Sequence, residues 1–183
     1  MTSTFRRASS FAPLLMAVIC LAGCDEDNVE RRTVTLPRSD LNARILHENQ
    51  LLAALVANPN DVQARLTLAN LYFDMKRLRL AIPAYEQVLE ALPDDPNIRT
   101  DLGTCYKRLG QLDRAQIEFE RATKNHPQHV QSAYNLAIVL DQAGKFAAAA
   151  LQWDRVTQIA TNPKVTETAR RNAEAARQKA AGN

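Results

Sequence analysis

Glycine is scarce, with five in 183 residues, while alanine and leucine are plentiful, which favours a mainly helical fold before any pattern is read. Cysteine is scarcer still. Of Cys20, Cys24 and Cys105, no two form a Cys-x-x-Cys pair, and no His-Glu-x-x-His occurs, so no zinc site is written here. There is no glycine-rich phosphate loop, no serine elbow and no pair of carboxylates with a supporting base, so the chain is read as a non-enzyme. Excess charge is missing too: 23 basic and 20 acidic residues leave a net +3, too little to argue for nucleic acid as a partner. Long apolar runs are represented by a single stretch, Phe11–Leu21, too short for a permanent membrane span. What remains, 46% hydrophobic and 23% charged, suits one foldable domain.

That apolar stretch follows Arg6 and Arg7 and runs into Leu21-Ala22-Gly23-Cys24. A basic start, an apolar core and small residues before a cysteine resemble the signal peptide and lipobox of bacterial lipoproteins, which implies cleavage after residue 23 and acylation of Cys24. Several acyl chains on one cysteine, each buried CH₂ worth about 0.8 kcal/mol, would anchor the chain stably to a membrane. Cleavage removes two arginines and no acid, so the net charge moves from +3 to +1. Asp25 and Glu26 resemble the inner-membrane retention signal of enteric lipoproteins, so the expected location is the periplasmic face of the inner membrane, with the outer membrane as the alternative. Residues 24–38, acidic and then basic with Pro37, read as a lipidated anchor and linker.

Self-similarity dominates the rest. Pro59, Pro93, Pro127 and Pro163 are spaced by 34, 34 and 36 residues. Laid over one another as residues 62–95, 96–129 and 130–163, three units agree column by column. The seventh column reads Leu68, Leu102, Leu136; the eighth Ala69, Gly103, Ala137; the eleventh Tyr72, Tyr106, Leu140. Those offsets put all three on one helical face. Further on come Leu78, Leu112, Phe146, then Ala81, Ala115, Ala149, then Tyr85, Phe119, Trp153, then Val88, Ala122, Val156. Small residues recur where two helix axes approach closely and aromatic ones where a gap needs filling. This pattern resembles the tetratricopeptide repeat (TPR), and the resemblance, over about 100 residues, implies an all-α superhelical solenoid of three helix-pair repeats.

Residues 39–61 carry Leu41, Ile45, Leu51, Leu52, Leu55 and Val56 at helical spacing and read as an extra N-terminal helix, a lone second helix before unit one. Residues 164–183, rich in Ala, Arg and Gln, read as a capping helix and tail whose polar outer face closes the stack. Two departures from the repeat are expected to be local. Pro83 falls near the start of a second helix, where it deletes one backbone bond to Arg79 and distorts rather than breaks. The spacing of 36 before Pro163 reads as two extra loop residues around Thr161-Asn162. His126 and His129 read as a solvated inter-unit loop, Asp94-Asp95 as caps for the following helix, and Cys105 as a minor core residue.

By resemblance to other TPR solenoids, the working surface is a concave groove lined by the first helix of each unit. It would present Gln63, Leu66, Thr67, Asn70, Phe73 and Asp74, then Asn97, Thr100, Asp101, Thr104, Lys107 and Arg108, then Gln131, Tyr134, Asn135, Ile138, Asp141 and Gln142. Phe73, Tyr134 and Ile138 are the candidate hot spots. The basic residues of carboxylate-clamp TPRs are not matched, since Leu66, Gln131 and Asn135 stand at their columns. The implied occupant is an extended or helical segment of another protein, and a helix of the same chain is the competing one. No cofactor, metal, nucleic acid or small-molecule substrate is expected. The function implied is that of a membrane-anchored adaptor in assembly of an envelope complex such as a pilus or secretion system. The alternative is a substrate-holding component of cytochrome c maturation, because TPR domains of that pathway hold unfolded apocytochrome.

Overall fold

The computed structural model describes residues 38–182. The leader of residues 1–23, Cys24 and the linker up to residue 37 lie outside the described residues. Eight helices make up the described part: α1 (Arg38–Ala57), α2 (Val62–Asp74), α3 (Leu78–Ala91), α4 (Pro96–Arg108), α5 (Leu112–Asn125), α6 (Val130–Gln142), α7 (Phe146–Ile159) and α8 (Pro163–Ala181). Each packs on its neighbour in sequence, and α4 also touches α6, the contact order of a TPR-type solenoid. No strand occurs among the described residues.

The boundaries repeat because the residues that set them repeat. First helices open on a side-chain cap: Asp61 accepts from the amide of Ala64, Asp95 from Asn97 and Ile98, His129 from Ser132 and Asn162 from Lys164. Second helices start without a side-chain cap, straight out of three-residue turns. The amides of Arg77, Gln111 and Lys145 reach back to the carbonyls of Tyr72, Tyr106 and Leu140, each at 2.9 Å, and close those turns.

Inside each hairpin the small and aromatic columns meet as expected. Ala69, Ala81, Ala115, Ala137 and Ala149 are wholly buried, and Tyr85, Phe119 and Trp153 fill the space beside them. At Gly103 the approach is tight: a Cβ there would sit 2.6 Å from the Phe119 ring, so that column cannot take alanine in unit two without movement. Pro83 is accommodated, with α3 running through it unbroken.

The expected two-residue insertion is not there. Loops of four residues, Leu92–Asp95 and His126–His129, follow α3 and α5, but only three, Ala160–Asn162, follow α7. Pro163 is therefore not the partner of the loop prolines Pro93 and Pro127. It is the first residue of α8, set behind the cap Asn162 as Pro96 is set behind Asp95 in α4, a position where proline's missing amide costs nothing. The helix starts step by 34, 34 and 33 residues. In this register Ala169 and Ala173 take the seventh and eleventh columns and are buried, while Arg170 takes the eighth, where Ala69, Gly103 and Ala137 meet their own second helices. Arg170 is exposed and bridges to Glu167 at 2.7 Å, and Arg177 lies near Glu174, giving α8 the polar outer face of a cap.

Candidate functional site

First helices of successive units lie side by side and form one face. Arg108 of α4 stacks over the Phe73 ring of α2 at 4.4 Å, Lys107 of α4 donates to Asn135 Oδ1 of α6 at 2.8 Å, and Lys179 of α8 pairs with Asp141 of α6 at 2.9 Å. These links join α2, α4, α6 and α8 along one side of the stack.

Its apolar members are all partly sunk into the core. Leu66, Phe73, Tyr134 and Ile138 are half-buried and packed against it. Phe73 meets the Tyr85 ring edge-on at 6.5 Å, and Tyr134 meets Trp153 edge-on at 4.9 Å, so both rings are held in place with one side left accessible. Gln63, Asn70, Asp74, Asn97, Arg108, Gln131 and Gln142 are exposed. Asn70 is also anchored, accepting the Tyr85 hydroxyl at 2.7 Å.

Thr100 and Asn135 do not present themselves in the way the column count implies. Both are buried: the Thr100 hydroxyl donates to the Pro96 carbonyl at 2.6 Å, and Asn135 is covered by Lys107. Thr67 and Thr104 likewise turn their hydroxyls onto their own helix, donating to Gln63 and Thr100. These threonines shape the floor; the glutamines, acids and rings remain for contact.

The electrostatic centre of the face is Asp101. Burial, with the Asp95 and Asp74 carboxylates nearby, pushes its carboxyl up to about 6 despite the opposing pull of Arg108. Among the described residues it makes no hydrogen bond or ion pair. Burial and the neighbouring Arg108 guanidinium push the Lys107 ammonium below its ordinary value. Behind them Cys105 is fully buried, and burial together with Asp101 pushes its thiol up to about 12, which makes it an inert core group.

The two loop histidines are structural. His129 Nδ1 accepts the Ser132 amide, so its proton sits on Nε2 and donates to Asn97 Oδ1 at 3.1 Å. Burial, then His126, holds its pKa below the ordinary value. His126 reaches the Asp94 carbonyl at 2.5 Å, so together they stitch two successive inter-unit loops. Among the described residues no cluster of His, Cys, Asp or Glu could hold a metal, and no helix is long and apolar enough to cross a membrane.

One part of the face was not foreseen. Val130, Gln131 and Tyr134 of α6 and Lys164, Val165 and Thr168 of α8 line a cleft of about 270 Å³. The signal for it was Pro163, which aligns α8 with the first helices of the repeats.

Comparison with known proteins agrees with this architecture. Models of the tetratricopeptide repeat match residues 48–96 and 73–134. The chain is 31% identical over 101 residues to Protein CTR9 homolog of Arabidopsis thaliana, covering 55% of this chain and 9% of that protein. It is 29% identical over 94 residues to the general transcriptional corepressor ssn6 of Schizosaccharomyces pombe, covering 50% and 8%. The chain thus spans less than a tenth of the curated relatives it matches. Among solved structures it resembles the crystal structure of MamA, with a TM-score of 0.64 at 16% identity over 79% of this chain and 93% of that one. It also resembles a point mutant of MamA, with a TM-score of 0.60 at 25% identity over 67% and 69%. MamA from Desulfovibrio magneticus RS-1 gives 0.61 at 21% identity over 66% and 68%. These are likenesses of repeat and fold.

Proposed function

We propose that this tetratricopeptide-repeat solenoid is an interaction scaffold that seats an extended or helical segment of a partner protein on the face formed by α2, α4, α6 and α8. One observation carries the reading: half-buried rings and aliphatics, Phe73, Tyr134 and Ile138, stand fixed among exposed polar side chains along a single surface, the composition of a binding face rather than of solvated helix. Acylated Cys24 would hold the scaffold at the periplasmic face of the inner membrane, where it would serve assembly of an envelope complex such as a pilus or secretion system. The leader and lipobox pattern of the sequence supports that part.

Crosslinking in the native envelope followed by affinity capture tests the face. One partner should be recovered in saturable amounts, and Phe73→Ala with Tyr134→Ala should lower recovery about tenfold or more while far-ultraviolet circular dichroism stays the same. Undiminished capture by the double variant would remove this face from the proposal. The anchor is tested separately by metabolic labelling with a fatty acid: label on the wild type and none on Cys24→Ser is the expected result, and an unlabelled wild type refutes it.

A further inference from the structure

Of the large apolar side chains left exposed among the described residues, an unusual share lies on α1: Leu41 at 44%, Ile45 at 40%, Leu46, Leu52 at 41% and Val56 at 83%. The helix already has a buried side. Leu51 and Leu55 pack on the core, and Glu48 is tied to Arg77 at 2.6 Å. At about 100° per residue, Leu41, Ile45, Leu52 and Val56 fall within a stripe about 60° wide beside that buried side, with Leu46 turned well away from it. So α1 carries a broad apolar surface of which α2 covers about half.

The steps between the four stripe residues are four, seven and four, and this sequence of steps reads the same in both directions. A second copy of α1 laid antiparallel therefore sets Leu41 against Val56 and Ile45 against Leu52, in register at both ends. Charged side chains lie off the stripe: Arg44 and Glu48 fall on the side turned to the core, where Glu48 is already tied to Arg77. Head-to-tail stacking is disfavoured, since the far end of the solenoid offers the charged side chains Arg170, Glu174 and Arg177 of α8 to these aliphatics.

We propose that α1 is a self-association helix, through which two copies of the chain pair antiparallel along Leu41, Ile45, Leu52 and Val56. The pair has two-fold symmetry, so the same stripe serves both copies and the assembly closes at two. A 20-residue helix is about 30 Å long, and one such pair lies at the small end of specific interfaces, so the dimer is reversible and concentration-dependent. It goes beyond the scaffold reading and does not need it. Its effect on a scaffold would be to present two binding faces on one particle, so that a partner with two sites is held by avidity.

Sedimentation equilibrium tests this on the full-length chain in a density-matched detergent, with Cys24→Ser so that no acyl chain drives association. The parent should show a monomer–dimer equilibrium. Ile45→Glu and Leu52→Lys should each weaken it by about tenfold or more. An equimolar mixture of the two single variants should pair again, because one copy's residue 45 then meets the other's residue 52 as Glu against Lys. Melting temperatures at dilution should fall only slightly, since both side chains are exposed in the monomer. A parent that stays monomeric, or a mixture that fails to recover, overturns the proposal. Monomeric parent bound to anionic vesicles and released by Ile45→Glu would overturn it too, assigning the stripe to lipid. A monomeric parent whose Leu52→Cys variant crosslinks to residues 25–37 of its own chain would overturn it in favour of an internal cover.

Discussion

At the fifteenth column of the repeat the chain turns from first helix to second through a left-handed residue. Gly110 and Gly144 adopt φ of 75° and 72° there, and Lys76 is forced to φ of 59° in unit one. A side chain in this region costs on the order of 1 kcal/mol, which glycine avoids. Lys76→Gly should therefore stabilise the protein by up to about 1 kcal/mol and Gly110→Ala destabilise it by about as much, both read from urea unfolding. Equal and near-zero effects would place the strain elsewhere. Asp101 stores a cost of another kind. Its carboxyl holds its proton up to about 6 when folded against an ordinary 3.8, so the folded state binds more protons in that interval and stability falls as pH rises through it. Asp101→Asn should be more stable than the parent above pH 6 by about 1–2 kcal/mol, with the difference vanishing near pH 4. The depressed His129 contributes the opposite slope, and comparing the two proteins cancels it because both carry it. A difference that is flat with pH would mean Asp101 is solvated.

Between elements, the stack is held by arginines that grip the proline loops. Arg65 donates to the Pro59 carbonyl, Arg99 to that of Pro93 and Arg155 to that of Pro127. Arg99 is the most committed of them, since it also bridges to Glu118 at 2.7 Å with both side chains largely buried. Arg99→Ala leaves a buried carboxylate with Arg121 as its remaining partner, and should cost about 2–4 kcal/mol. Adding Glu118→Gln should recover part of that loss, and a double variant no better than the single would argue against the pair. These straps were invisible in the sequence, because the donors come from different columns, Arg65 and Arg99 from the fourth and Arg155 from the twenty-sixth. The hairpins themselves were legible, since close packing allows few residue types at columns such as Ala69, Gly103 and Ala137. The last element was misregistered for a physical reason: proline serves equally in a loop and at the first turn of a helix, and spacing alone cannot separate Pro127 from Pro163. With that register lost, the cleft between Tyr134 and Val165 went unread, and so did the burial of Thr100 and Asn135, which depends on side-chain hydrogen bonds that no periodicity encodes.

Over the whole molecule, contacts run between neighbours along the stack, so stability is a sum of local hairpins and interfaces and need not be uniform. The central helices are covered on both sides along the stack, and Leu102, Cys105, Tyr106, Phe119 and Ala133 are nearly or wholly buried. By contrast α1 rests on α2 through partly buried Leu51 and Leu55. Two consequences are measurable together. Leu102→Ala should cost about 2–5 kcal/mol, whereas Leu55→Ala should cost less than about 2 kcal/mol, since its site is open to water on one side. Amide exchange at concentrations low enough to keep the chain monomeric should show protection highest across α4 to α6 and falling toward α1. If all eight helices exchanged at one rate, with Leu55→Ala lowering protection in α4 as much as in α1, the chain would be opening as a single cooperative block. The end helix would then be an integral part of the core, instead of the loosely held element whose exposed stripe leaves it free to meet another surface.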